Sequence, residues 1–467
     1  MPPHPPISAQ KECGSDNPGT RKEAGAVIRL AAPLALAQLA QVAMGTTDTV
    51  LLGSLGRDAL AGGGLGANLF FTLIIIMSGG LIPVSILVSH ARGAGSHNQI
   101  AGILRGGVLL AILSALPVMV ALAEIEPILR AVGEPAALAH IIGQYDAVLL
   151  FAAPAGLLLS TQRAFLAAMD RPWMFMAVAL GAVPINGFLN YGLIHGTWGL
   201  PAMGIQGSAT ATLITFWGMT AAVGLEIRFS RALKLFRLFG PINWTILREL
   251  TVLGAPIAFI MAAEILLFTV SSVMIGLFGA TELAAHQIAL SIASVTFMVP
   301  LAVSQAANVR VGFHMGGRAP RTARRAGVIA FLLGAGFMGA MGAALTMFPA
   351  AIAGLYITTG DPARDGVIRL AARLLRVAAL FQVFDGAQTI AAGALRGLKD
   401  TRVPAIAAAF GYWAVGFGVS WFLGLYLHLG AVGVWWGFAS GLATVAILLS
   451  ARFWLLSGHL IALSGKL

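Results

Sequence analysis

Long apolar runs separated by short polar or glycine-containing stretches recur along this chain of 467 residues. A bilayer-spanning helix needs about 20 mostly apolar residues, and about twelve runs qualify. In the first half they are 26–53, 63–90, 102–123, 139–166, 173–194 and 204–227; in the second they are 247–277, 282–309, 325–348, 367–395, 404–427 and 431–455. A transmembrane barrel alternates apolar and polar residues over about ten positions. The runs here are continuous, so the pattern predicts an all-α polytopic membrane protein with twelve spans.

The two halves carry the same pattern. Shifting the first half by about 223 residues puts Pro33 on Pro256, Gly53 on Gly276, Gly56 on Gly279, Ala61 on Ala284 and Gly93 on Gly316. The fourth and tenth spans end alike, at 163–170 and 393–400. Six spans per half is an even number, so both halves point the same way: two pseudo-symmetric six-helix lobes related by an axis along the membrane normal. Transporters of that plan hold their sites between the lobes and rock around them. The expected organisation is a disordered cytoplasmic tail over 1–24, an N-lobe over 25–228, a cytoplasmic linker over 229–246, a C-lobe over 247–456 and a cytoplasmic tail over 457–467. No short apolar core with a cleavage site precedes the first span, so no removable signal peptide is expected.

Composition agrees. Hydrophobic residues make up 58% and charged residues 10%, against about 25% charged in soluble domains. The formal charge of +11 has a topological origin. About 23 of the 29 Lys and Arg fall in the tails and the even-numbered connections, the positive-inside pattern for both termini in the cytoplasm. Arg373 and Arg376 fall inside a span. No basic run carries interleaved aromatics, so nucleic-acid binding is not indicated. Cys13 is the single cysteine, which rules out an internal disulfide. No metal motif or nucleophile–base pair points to an enzyme or a cofactor.

Ionisable residues at bilayer depth are costly and mark ion or substrate paths. Four carboxylates fall within spans: Asp48, Asp146, Glu264 and Asp385. Glu264, eight residues past Pro256, has apolar neighbours and no basic residue in its own span. With Asp385 it makes a pair able to hold Na⁺ or protons; the alternative is a carboxylate neutralised by Arg373 or Arg376. Asp48 sits among Thr46, Thr47 and Thr49, whose hydroxyls suit a small cation or proton site. Asn186 and Asn190, one turn apart after Pro184, are placed to hydrogen-bond Asp48. Gln41 is the repeat counterpart of Glu264, so the first half carries a neutral group there. Asp146, close to the outer start of the fourth span, reads as an interfacial, solvated acid. His286 reads as a capping or packing residue.

Pro33 with Gly45-Thr46-Thr47-Asp48-Thr49-Val50, Ala284-Ala285-His286-Gln287, Arg310-Val311-Gly312, Asp385-Gly386-Ala387-Gln388 and Leu395-Arg396-Gly397-Leu398-Lys399-Asp400 resemble the multidrug and toxic compound extrusion (MATE) family, in its NorM-like branch. The resemblance runs from about residue 25 to 455. It implies a monomeric antiporter of the bacterial inner membrane. Organic cationic drugs and dyes leave in exchange for Na⁺ or H⁺ by alternating access between the lobes. The implied cation or proton site is Glu264, Asp385 and Asp48, with Asn186, Asn190, Gln41 and Gln388 as supporting polar groups and Pro33, Pro184 and Pro256 as bends. Glu264 and Asp385 are the implied Na⁺ ligands. Two departures matter. Phe381 stands where some relatives carry a Tyr, which favours H⁺, and Asn190 replaces an acid of archaeal relatives. The competing reading is a lipid-linked precursor flippase, which needs a basic cavity.

Overall fold

The computed structural model describes residues 19–230, 240–241, 243–357 and 364–464. The long helices, in chain order, are α1 Thr20–Gly53, α2 Arg57–Gly93, α3 His97–Ala123, α4 Ala136–Ala168, α5 Pro172–His195, α6 Ile205–Phe229, α7 Trp244–Gly276, α8 Ala280–Gly316, α9 Pro320–Met347, α10 Arg364–Gly397, α11 Arg402–Tyr426 and α12 Gly430–Ser464. Among the described residues, eleven of these are long and apolar enough to cross a bilayer. The exception is α10. Its 34 residues span about 50 Å at 1.5 Å per residue. Arginines at its start and Gln382, Asp385 and Gln388 at its centre lower its hydropathy. It packs against α8, α9 and α12, and a helix sheltered from lipid by its neighbours can carry such groups.

Three spans depart from regular α-helix. A turn at Gly80–Ile82 interrupts α2, a 3₁₀ segment at Leu150–Ala152 interrupts α4, and α11 contains π-helical stretches at Phe410–Phe417 and Phe422–Tyr426. Pro33, Pro184 and Pro256 lie inside α1, α5 and α7, where each removes a backbone donor from the helix ladder. The start of α7 is capped by Asn243, whose side-chain oxygen accepts from the amides of Thr245 at 3.0 Å and Ile246 at 3.3 Å, satisfying donors that the first turn leaves free.

The boundaries differ from expectation at both ends. Helix α1 begins at Thr20, so the last five residues of the stretch read as a tail are helical, and Glu23 among them is buried. Helix α12 continues to Ser464, well beyond 456. Most of the tail, residues 231–239 and 242 of the linker, and 465–467 lie outside the described residues.

Two apolar cores fill the molecule. One joins α1–α6 and extends onto Ala302–Val309 of α8; the other lies within α7–α12. The halves meet where the C-terminal part of α2 crosses α8. A Cβ on Gly93 would lie 1.9 Å from the carbonyl oxygen of Phe313, and one on Gly316 would lie 2.1 Å from that of His90. These are reciprocal contacts, because His90 and Phe313 are also about 223 residues apart. Ser85 and Asn308, another counterpart pair, bond directly: Asn308 Nδ2 donates to Ser85 Oγ at 2.8 Å. His90 Nε2 lies 2.8 Å from the Gly397 carbonyl. Close by, Glu23 of α1 accepts from Arg310 Nε at 2.8 Å and Nη2 at 2.7 Å, with His314 Nε2 at 3.3 Å. These links all lie toward the C-terminal ends of α2, α8 and α10 and the start of α1, so the lobes are held against each other at that end.

Overpacking a tight contact costs about 1–3 kcal/mol. Gly316→Ala is therefore expected to lower the thermal unfolding midpoint of the purified protein by several degrees. Gly45→Ala, where an added Cβ meets nothing within 4 Å, should leave it unchanged. Thermal denaturation of both variants in the same detergent makes the comparison.

Candidate functional site

Helices α7, α10 and α11 bring the acidic pair together. Gln388 lies one turn beyond Asp385, and its amide Nε2 donates to Asp385 Oδ1 at 3.2 Å and to Glu264 Oε1 at 3.4 Å. The Gln388 oxygen accepts from the Tyr412 hydroxyl at 2.7 Å. Tyr412, Gln388 and the two carboxyls thus form one chain across three helices. Asp385, Gln388 and Tyr412 are buried, whereas Glu264 is half-buried. The chain is directional: the hydroxyl orients the amide, and the amide turns its N–H groups toward the acids.

The positive charge near this pair differs from expectation. Arg373 and Arg376 are exposed and make no ion pair with a carboxylate among the described residues, so neither neutralises Asp385. The nearby cation is Arg396. It was assigned to a cytoplasmic connection, but it lies in the last turn of α10, is buried, and is within electrostatic reach of Glu264. Glu264 therefore has a counter-charge from another helix.

An aromatic group borders the pair. Phe381, one turn before Asp385, packs against Phe268, Trp435 and Phe438, with ring centroids 5.5–6.2 Å away. His286 fixes this wall. Trp435 donates from its indole nitrogen to His286 Nδ1 at 3.1 Å. Indole is only a donor, so Nδ1 accepts and the neutral ring carries its hydrogen on Nε2, facing Ser272 Oγ at 2.9 Å. Ser272 donates in turn to the Phe268 carbonyl. The packing role expected for His286 is the one observed.

The N-lobe cluster forms around Asp48, which is buried. Asn190 Nδ2 donates to its Oδ1, and the Thr212 hydroxyl of α6 donates to Oδ2 at 3.1 Å. Asn186 faces the same carboxyl. The threonines beside Asp48 in sequence do not complete this site. Thr46, Thr47 and Thr49 donate to the carbonyls of Val42, Ala43 and Gly45 in their own helix. Gln41 is half-buried and joins neither cluster; the buried glutamine of α1 is Gln38.

The MatE family profile matches residues 33–192 and again 256–422. One pattern therefore fits the chain twice, from Pro33 and from its counterpart Pro256. The chain belongs to the MATE family. This is a family of transporters, not enzymes. Among similar proteins, the Multidrug resistance protein NorM of Burkholderia vietnamiensis is 48% identical over 447 residues, 95% of this chain and 96% of that one. A Probable multidrug resistance protein NorM of Mesorhizobium japonicum is 42% identical over 439 residues, 93% and 94% of the two chains. The MATE fold is matched by solved structures at 19% identity. An outward-facing multidrug resistance MATE family transporter gives a TM-score of 0.86, covering 98% of this chain and 99% of that one. A eukaryotic MATE transporter gives 0.84, covering 93% and 96%.

Sequence reasoning missed Tyr412, Arg396 and Thr212. A lone tyrosine hydroxyl in an apolar span was a usable signal for Tyr412. Thr212 gave none, since hydroxyls in spans usually bond their own helix.

Removing the Tyr412 hydroxyl leaves the buried Gln388 oxygen without its donor, at a cost of about 1–3 kcal/mol. Tyr412→Phe in this MATE protein is expected to lower thermal stability by that amount and to slow gradient-driven transport several-fold. Thermal denaturation and a proteoliposome flux assay check the two effects.

Proposed function

We propose that this protein is an inner-membrane antiporter that exports organic cations in exchange for protons, with Glu264 and Asp385 as the main exchange site and Asp48 as a second. The observation that carries the reading is the single amide of Gln388 donating to both carboxyls. The shared donor holds the two acids close together, where both being charged is unfavourable and one proton relieves the repulsion. The side-chain nitrogen turned toward both carboxyls is a donor, which offers a metal ion no ligand. Phe381 offers no hydroxyl, and no group of three or more acidic, His or Cys ligands occurs among the described residues. This donor set favours H⁺ over Na⁺. The apolar and aromatic surroundings suit the greasy body of a drug cation, whose charge competes with the proton for the carboxylates.

The cycle follows from that competition. With the cytoplasmic ends closed, protons reach the acids from outside, neutralise them and release the bound cation. The lobes then rock: the Glu23–Arg310–His314 cluster, the Ser85–Asn308 bond and the Gly93/Gly316 crossing separate, and the site opens inward. A drug cation enters and displaces the protons into the cytoplasm. Coupling requires proton and drug to bind the two states with different affinity.

The test is ethidium efflux from proteoliposomes under an imposed H⁺ gradient and, separately, an imposed Na⁺ gradient. The expectation is H⁺-driven efflux in the wild type and its loss in Glu264→Gln. Efflux driven by Na⁺ alone would reassign the ion. No movement of ethidium or another organic cation under either gradient would overturn the export reading. A second measurement addresses the gate. Removing one partner of a buried ion pair costs about 3–5 kcal/mol, so Glu23→Gln should shift the population toward the inward-facing state. Spin-label distances between the cytoplasmic ends of α2 and α8 are expected to lengthen in that variant.

A further inference from the structure

Asp146, one of the four carboxylates that the sequence places within apolar runs, joins neither cluster, and it is not at the interface. It lies about 15 Å along α4 from the helix start at Ala136. It is fully buried, and neither carboxyl oxygen has a hydrogen-bond partner. Its place is the contact between α4 and α2, made close by the run Gly62-Gly63-Gly64-Leu65-Gly66. A Cβ on Gly66 would lie 3.2 Å from Asp146 Oδ1 and 2.9 Å from the Tyr145 ring; one on Gly62 would meet Ile141 at 2.3 Å. Four residues after Asp146, α4 leaves the α-helical path for the 3₁₀ segment Leu150–Ala152. A short 3₁₀ stretch within a helix often marks a hinge.

We propose that Asp146 is a further proton-binding site of the N-lobe, loaded in the cytoplasm-closed state and unloaded when α4 bends at Leu150–Ala152. An ionised carboxylate without a hydrogen bond or counter-charge is costly in a dry interior. Binding one proton at a carboxyl oxygen removes that cost; the reverse step returns the proton to water and leaves the carboxylate. A metal ion needs several oxygens around it, and neither Asp146 oxygen has another polar atom within hydrogen-bond distance. The chemistry of the site is therefore that of a proton.

The titratable groups around it are few. Tyr145 is adjacent and buried, and lies within electrostatic reach of both Asp48 and Asp146. The charged groups on the packed neighbours lie elsewhere. Arg57 and Asp58 are at the start of α2, His97 and Arg105 near the start of α3, and Glu226 and Arg228 at the end of α6. Glu126, Arg130 and His140 form their own group at the outer surface.

The proposal rests on the proton-exchange reading above, and its test separates the two. The first measurement is the infrared stretching band of a protonated carboxyl, identified by its shift on deuteration, in the reconstituted full-length protein. Asp146→Asn, an isostere of the protonated acid, should lose a component that persists in the triple variant Asp48→Asn, Glu264→Gln, Asp385→Asn. The triple variant keeps the question answerable if Asp146→Asn does not fold. The second measurement is H⁺-driven ethidium efflux, expected to fall about tenfold in Asp146→Asn, the scale of ordinary coupling between sites, with ethidium binding retained. A band absent from the triple variant overturns the proposal, as does unchanged H⁺-driven efflux in Asp146→Asn, which would make the carboxyl structural. Wild-type protein that moves no organic cation sinks the exchange reading while the infrared result still reports on Asp146.

Discussion

At the crossing of α2 and α8, backbone meets backbone. Gly93 faces the carbonyl of Phe313 and Gly316 faces the carbonyl of His90, at separations that leave no room for a side chain. Lipid tails supply no hydrophobic drive for helix association, so close approach by small residues, helped by interhelical hydrogen bonds, has to hold helices together in a membrane. The other contacts at this end of the helices depend on this approach. It brings Ser85 within reach of Asn308, places His90 against the end of α10, and brings Arg310 and His314 to Glu23. Dispersion and a few polar links form this contact between the lobes.

The two acidic clusters solve the cost of buried charge differently. Around Asp48, an amide and a hydroxyl from α5 and α6 address separate oxygens of one carboxyl. In the C-lobe one amide serves two carboxyls, a tyrosine holds that amide in place, and Arg396 supplies positive charge from the C-terminal end of the helix. The first arrangement stabilises a single group, while the second couples two.

Much of the fold was legible in the sequence because its determinants are local and repetitive. Apolar runs give spans, Lys and Arg alternate between connections, and Pro33 and Pro256 mark the repeat. Glu264, Asp385, Asp48 and Asn190 stood out because charged or amide groups are rare in such runs, and the structure places them in two clusters. What failed were inferences from neighbours in sequence. Thr46, Thr47 and Thr49 flank Asp48 but satisfy their own helix, since a hydroxyl four residues beyond a carbonyl finds it before it finds anything else. Arg373 and Arg376, weighed as alternative partners for Asp385, are exposed on its helix and pair with no carboxylate among the described residues. Asp146 was read from its distance to a helix end, whereas its burial is set by the glycines of α2, about 80 positions earlier. Arg396 was assigned to a connection because it falls one residue past the expected span, although α10 continues through it and buries it.

The bond between Ser85 and Asn308 joins a residue to its own repeat counterpart, so it lies on the pseudo-two-fold axis. In a dimer of identical chains a residue on such an axis meets only its own kind. Serine would face serine, or asparagine would face asparagine. Joining two copies in one polypeptide lifts that restriction. One side can become the donor and the other the acceptor, and the same freedom lets Gln41 stand opposite Glu264 in the repeat. The covalent link between the halves thus permits a division of labour that a symmetric pair of separate subunits could not encode.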